Sequence, residues 1–330
     1  MYARNLLLAL ALLAPMPGPA QTAAAPPFEL ESKIPLGPIG GRIDHLAVDL
    51  TRKLLFVAEL GNDSIGVVDL AKGAVRSTML GFKEPQGIGF EPSSDSVYVA
   101  NAGDGSVRVL RPDDLTVLGR IDLGEDADNV RIDPAQKRVV VGYGKGGLAI
   151  LEPGSRRKVA DIKLKAHPEG FQLDEGGNRA WVNLPDAGLI QLVDLAKGEP
   201  AENVPTHGHR ANFPMALDHQ GQRVLVVFRR PTRLLVAAMA GNTVLADLET
   251  CGDADDLFVD SKRHRVYVVC GTGAVDVFED KDGQYKRVGQ FPTSPGARTG
   301  LFVPELDRLF VAVRAAGKEP AAVWVLRPPS

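Results

Sequence analysis

Four acidic residues occupy equivalent places in a repeating chain: Asp44, Asp128, Glu169 and Asp255. Each lies five residues before a second acid, at Asp49, Asp133, Asp174 and Asp260. The same offset elsewhere selects Gln86, Phe213 and Thr299, so the column is mostly polar where strand propensity favours apolar residues. Its neighbour reads His45, Gly87, Asn129, Gly170, Pro214, Asp256, Gly300. If these columns converge, Asp44, His45, His167, Glu169, Asp255 and Asp256 offer oxygen and nitrogen donors for a divalent ion such as Ca²⁺. Asp128 and Asn129 would complete a polar ligand site, and His45 and His167 are the candidates for moving a proton. Alternatively, the acids hydrate a channel or cap backbone amides at turns. Crowded carboxylates predict a raised pKa for at least one of them.

A second set is basic. Arg229, Arg230, Arg298 and Arg314 fall near strand ends, and His207, His209 and Arg210 precede Asn212. Guanidinium forks suit carboxylate or phosphate groups, so Asn212 and these arginines are candidate contacts to a small anion. A structural ion pair of Arg298 with Asp44 is the competing assignment.

The elements that would position these residues follow from the rhythm itself. Asp49, Glu91, Asp133, Asp174, Asp218 and Asp260, with Pro304 in the seventh place, are spaced 41 to 44 residues apart. Short apolar runs precede them, and Val68–Gly73 recurs verbatim as Val193–Gly198. A period near 40–45 residues with short β-rich runs predicts a β-propeller of four-stranded antiparallel blades. In the sixth repeat, Leu257–Val259, Val266–Val269, Val275–Phe278 and Tyr285–Gln290 are separated by Gly- and Asp-rich turns. No segment carries sustained helical periodicity. The seventh repeat lacks its outer strand, and Phe28–Leu36 is an unassigned strand at the other end. Pairing the two would close a seven-bladed ring over residues 28–330 and remove two sheet edges, and a monomer is expected. First strands would line the channel, with their N-terminal ends at its mouth. Phe56, Tyr98, Tyr267 and Phe310 share one second-strand column and are expected in the core between blades, as are Trp181 and Trp324.

Residues 1–20 read as a secretory signal peptide: Arg4, an apolar run from Leu6 to Leu13, and a small-residue exit at Ala20. The run is too short to span a bilayer, and no lipobox cysteine follows it. Residues 21–27 read as a flexible linker, and no later segment is apolar enough to cross a membrane. A periplasmic or secreted location follows. Lys and Arg number 38 against 41 Asp and Glu, and this acidic balance argues against nucleic acid. Cys251 and Cys270 flank the first two strands of the sixth repeat, so they form either a disulfide or a pair of buried thiols. Strand register places Cys270 opposite Asp256.

The runs Val97-Tyr98-Val99-Ala100-Asn101 and Phe56-Val57-Ala58-Glu59, with Ile65–Asp69 and Ser106–Leu110, resemble the YVTN-type repeat. The chain thus resembles the YncE-like propellers of bacterial envelopes. That resemblance implies the fold but no single activity, since related propellers include lactonases, lyases, DNA binders and dehydrogenase subunits. The chain shows no HExxH motif, no nucleophile elbow and no phosphate loop: Gly144-Lys145-Gly146-Gly147 lacks the strand-to-helix context. The expected function is a binding module for a small anionic ligand or an envelope partner. The alternative is a metal-assisted, lactonase-like hydrolase or lyase at the same mouth.

Overall fold

The computed structural model describes residues 26–329, so the signal-peptide and cleavage assignments, and residues 21–25 of the linker, lie outside the described residues. Pro27 already packs beside Gly289, where a Cβ would meet its ring at 3.1 Å. Seven four-stranded antiparallel sheets form the blades. Their first strands are Leu46–Asp49, Pro85–Glu91, Ala127–Asp133, Phe171–Leu173, Arg210–Asp218, Ala254–Asp260 and Gly300–Val303, for blades one to seven. Among the described residues, no helix is long and apolar enough to cross a membrane.

The repeat acids mark the fold because each closes the turn between first and second strands. Asp49 Oδ1 accepts from the backbone N–H groups of Thr51 and Arg52, at 2.9 and 3.0 Å. Glu91, Asp133, Asp174, Asp218 and Asp260 accept from N–H groups two to five residues on. Some of these turns also tie neighbouring blades together. Arg52 bridges Asp49 and Asp95, and Arg263 bridges Asp260 and Asp307. The duplicated Val68–Gly73 and Val193–Gly198 segments build the same turn, with Asp69 and Asp194 each accepting two backbone N–H bonds.

Among the described residues the core is divided rather than single. Seven apolar clusters lie between successive blades, such as Phe56, Ile65 and Val67 of blade one against Ile88, Val97 and Leu110 of blade two. Phe56, Tyr98, Tyr267 and Phe310 are all buried, as is Trp181; Trp324 is half-buried under the Lys33 ammonium, 4.0 Å above its ring.

Ring closure is as expected. Glu29–Gly37 pairs antiparallel with Ala321–Arg327 and becomes the outer strand of blade seven. Phe28, Ile34 and Leu36 carry it into the clusters on either side. The cysteines are bridged, with Sγ–Sγ 1.99 Å and Cα–Cα 5.8 Å. Their register differs from expectation by two positions: Cys270 faces Ala254, because the Asp260↔Arg265 turn sets the pairing one residue off and a bulge between Ala254 and Asp256 adds a second.

Candidate functional site

That bulge belongs to a pattern which shapes the channel mouth. In blades two, three, five and six, one additional residue is inserted near the N-terminal end of the first strand. The irregular positions fall at Gln86-Gly87, Asp128-Asn129, Phe213-Pro214 and Asp255. In blades one and four the corresponding residues lie just before a shorter first strand. A bulge interrupts the ladder and re-aims side chains. Here it turns the two polar columns towards the ring axis. A cavity of about 420 Å³ occupies the axis, within the range of small-molecule sites. Asp44, Gln86, Asp128, Glu169, Phe213 and Asp255 line it, together with every residue of the neighbouring column. Thr299 alone departs: it is buried, with its hydroxyl donating to the Ile43 carbonyl.

The glycines in the second column are required by close approach between blades. A Cβ on Gly87 would stand 2.0 Å from the Asp128 carbonyl oxygen, and one on Gly170 2.4 Å from that of Phe213.

Charged groups at the mouth form a connected network. His45 lies between Asp44 and Asp256, with nitrogen–oxygen separations of 3.6 and 3.5 Å. Asp256 also accepts the Gly300 N–H at 2.8 Å, joining blades six and seven. Arg229 donates to Asp255 at 2.6 Å and to the Ala254 carbonyl, and lies 3.7 Å above the Phe213 ring. Arg298 pairs with Asp253 at 2.9 Å rather than with Asp44, whose partner is Arg42 at 2.6 Å. His167 bonds the Gly144 carbonyl at 2.6 Å and stands 3.7 Å from Asp128. Among the described residues, the Glu169 carboxyl has no hydrogen-bond or ion-pair partner, and no three His, Cys, Asp or Glu side chains converge as a metal-ligand group.

This crowding shifts proton affinities as expected. Burial and the charge of Asp128 push Glu169 up to about 8. Burial raises Asp255 to about 7 despite Arg229, and raises Asp44 as well. For His45, burial favours the neutral ring, but Asp256 and Asp44 outweigh it and lift the pKa to about 10. Asp128, the Gly144 carbonyl and Asp126 do the same for His167 against its burial, to about 9. At neutral pH both imidazoles are therefore cations, and Glu169 carries a proton.

Glu169 gives a measurable pH effect. Below its ordinary value of 4.5 the carboxyl is protonated in both folded and unfolded chains, so burial costs nothing through this group. From there to about 8 the unfolded chain ionises first, and stability falls as pH rises. Glu169→Gln is expected to stabilise the protein by at least about 1 kcal/mol at pH 8 and by nothing measurable at pH 4. Melts at both pH values check this; an equal effect at the two would remove the carboxyl from the account.

Other candidates lie elsewhere. Arg230 and Arg314 are exposed and do not line the cavity, and Arg230 sits opposite Arg210 on the blade-five hairpin. Asn212 is buried behind the wall, donating to Asn183 Oδ1 and the Leu189 carbonyl, and Asn183 in turn donates to the Phe213 carbonyl. It positions the mouth without lining it. His209 pairs with Asp247, away from the axis.

Two charged lining residues escaped the column rule. Arg42 precedes Asp44 by two residues in an irregular loop, where repeat phase carries no information. Arg131 interrupts an otherwise apolar first-strand run, Val130-Arg131-Ile132, and that interruption was a readable signal.

No protein-family model matches the chain, and no curated protein matches it. Solved structures do. A chain from Kuenenia stuttgartiensis hydrazine synthase is 17% identical, with a TM-score of 0.74 over 91% of this chain and 99% of that one. A chain from a mitotic checkpoint complex is 13% identical, with a TM-score of 0.76 over 98% and 99%. At such identities the likeness shows the seven-bladed propeller fold and no activity.

Proposed function

We propose that the protein is an exported, YVTN-type propeller that works as a monomeric binding module, taking a small anionic molecule at its channel mouth. One observation carries this reading: the mouth is polar, enclosed and rich in hydrogen-bonding capacity that the protein itself leaves unused. At the cavity wall the Arg42 Nε is buried without an acceptor and the Asn129 carbonyl oxygen without a donor; the Arg298 Nε, outside that lining and 3.7 Å from Asp255, is likewise without a hydrogen bond. A buried donor without a partner costs about 1–3 kcal/mol, which a bound acceptor would recover. Protonated His45 lines the cavity and adds donor capacity there, and Glu169 is neutral at the same pH.

The alternative, metal-assisted hydrolysis, needs a free base at the mouth. The carboxylates beside His45 and His167 favour their protonated forms, and His45, which lines the cavity, is placed to donate to a bound anion. The fold is widely used for binding, and the YVTN-like strands and the signal-like N-terminus support an envelope setting.

Calorimetric titration of the mature chain with small carboxylates and inorganic phosphate tests the proposal. At least one anion should bind at neutral pH, and Arg42→Gln or Arg298→Gln should each weaken it about tenfold, the value of one charge-assisted hydrogen bond. Absence of any binding, or binding indifferent to both substitutions, would overturn it.

A further inference from the structure

Arg131 stands apart from every other arginine of the mouth. Arg42, Arg229 and Arg298 each have a carboxylate within 4 Å. Arg131 has none among the described residues; its Nε donates to the Phe171 carbonyl at 2.8 Å and its Nη1 to the Val130 carbonyl at 2.9 Å. Its guanidinium lies 5.2 Å from the Phe171 ring centroid, and its remaining donors have no protein acceptor among the described residues. The side chain lines the central cavity alongside Ile88, Phe90, Ile132, Phe258 and Leu301. A buried charge without a direct counter-ion is costly, since carbonyl dipoles replace only part of its hydration. Burial depresses the Arg131 pKa, and Asp256 and Asp128 offset that only in part.

We infer that Arg131 seats the anionic head of the ligand, and that the ligand is a small organic carboxylate whose apolar body fills the channel. This rests on the binding reading above and adds to it the group that carries the anion. One uncompensated guanidinium matches one negative charge. A phosphate dianion would bring its second charge towards Asp128 and Asp256, whose facing imidazoles, His167 and His45, are already engaged with those carboxylates. The apolar first-strand residues that share the cavity with Arg131 favour a hydrocarbon body on the ligand.

The test uses the mature chain in chloride-free buffer, titrated with acetate, butyrate, hexanoate and inorganic phosphate. Wild type should bind the carboxylates with affinity rising with chain length, and phosphate more weakly. Arg131→Met should melt no lower than wild type without anion, because the unpaired charge is gone, and should bind butyrate at least tenfold more weakly. If Arg131→Met does not fold, Arg131→Lys carries the test: it keeps the charge, loses the forked donors, and should weaken butyrate at least threefold. Unchanged butyrate affinity in the Arg131 variant, with loss in Arg298→Gln, would leave the mouth reading intact and overturn Arg131 as the seat. Preference for phosphate, or affinity independent of chain length, would overturn the ligand class. No carboxylate binding to wild type would overturn the inference outright.

Discussion

Deleting residues 26–37 is expected to abolish the folded monomer. The segment supplies the outer strand of blade seven, paired from Glu29↔Arg327 to Gly37↔Ala321 with irregularities at Glu31 and Leu36. It buries Phe28, Ile34 and Leu36 almost completely. At about 1.5–3 kcal/mol for each buried side chain, their loss costs about 5–9 kcal/mol, comparable to the whole stability of an ordinary domain. The ion pairs of Arg308 with Glu31 and of Arg327 with Glu29 would go too, though their exposure makes them minor. The Ala321–Arg327 strand would become an unprotected edge, which templates association. Size-exclusion chromatography with light scattering, beside thermal melting, reads the result. A truncated chain that stays monomeric and melts with the full protein would sink the closure account.

Removing the Cys251–Cys270 bridge is expected to cost about 3 kcal/mol. The two residues are separated by 19 positions, and closing a loop of that length restricts the unfolded chain by about this amount. The effect should reach the site as well. Cys251 anchors the connection into blade six that presents Asp253 and Asp255, the partners of Arg298 and Arg229. A second anchor survives, since the Cys251 N–H donates to buried Asp276 at 2.8 Å, so blade six should loosen without unfolding. The double variant Cys251→Ala, Cys270→Ala avoids burying a new hydroxyl. It should melt well below wild type, bind anion more weakly, and lose the response to dithiothreitol that wild type shows. Wild type whose melting ignores reductant would count against any role for the bridge in stability.

Much of the architecture was legible in the chain. A propeller blade cannot bury its faces alone, so every repeat must carry the same strand alternation and the same turn chemistry. Asp49 and Asp260 recur because an acid at that place caps the turn after the first strand, whatever else the blade does. The unpaired Phe28–Leu36 strand and the incomplete last repeat pointed to each other for a similar reason: a ring with a gap leaves edges. Counting from the repeat acids also selected six cavity-lining residues, one from each of blades one to six, because these first strands meet the axis at the same phase; Thr299 of blade seven is the exception.

The charge partners were decided only by the tertiary structure. Arg298 meets Asp253 and not Asp44, because Arg42 approaches Asp44 from a loop with no repeat phase. One-residue bulges break the first-strand register in four blades, and in blade six the bulge, with a turn pairing one residue off, put Cys270 opposite Ala254 and not Asp256. A bulge shifts the register by one position, and strand patterning does not encode where that happens. Arg131 lies at the far end of the same limit. The sequence determined that an arginine interrupts an apolar strand; whether a carboxylate awaits it depends on blades far apart in the chain. The fold left Arg131 with two backbone carbonyls and an open channel.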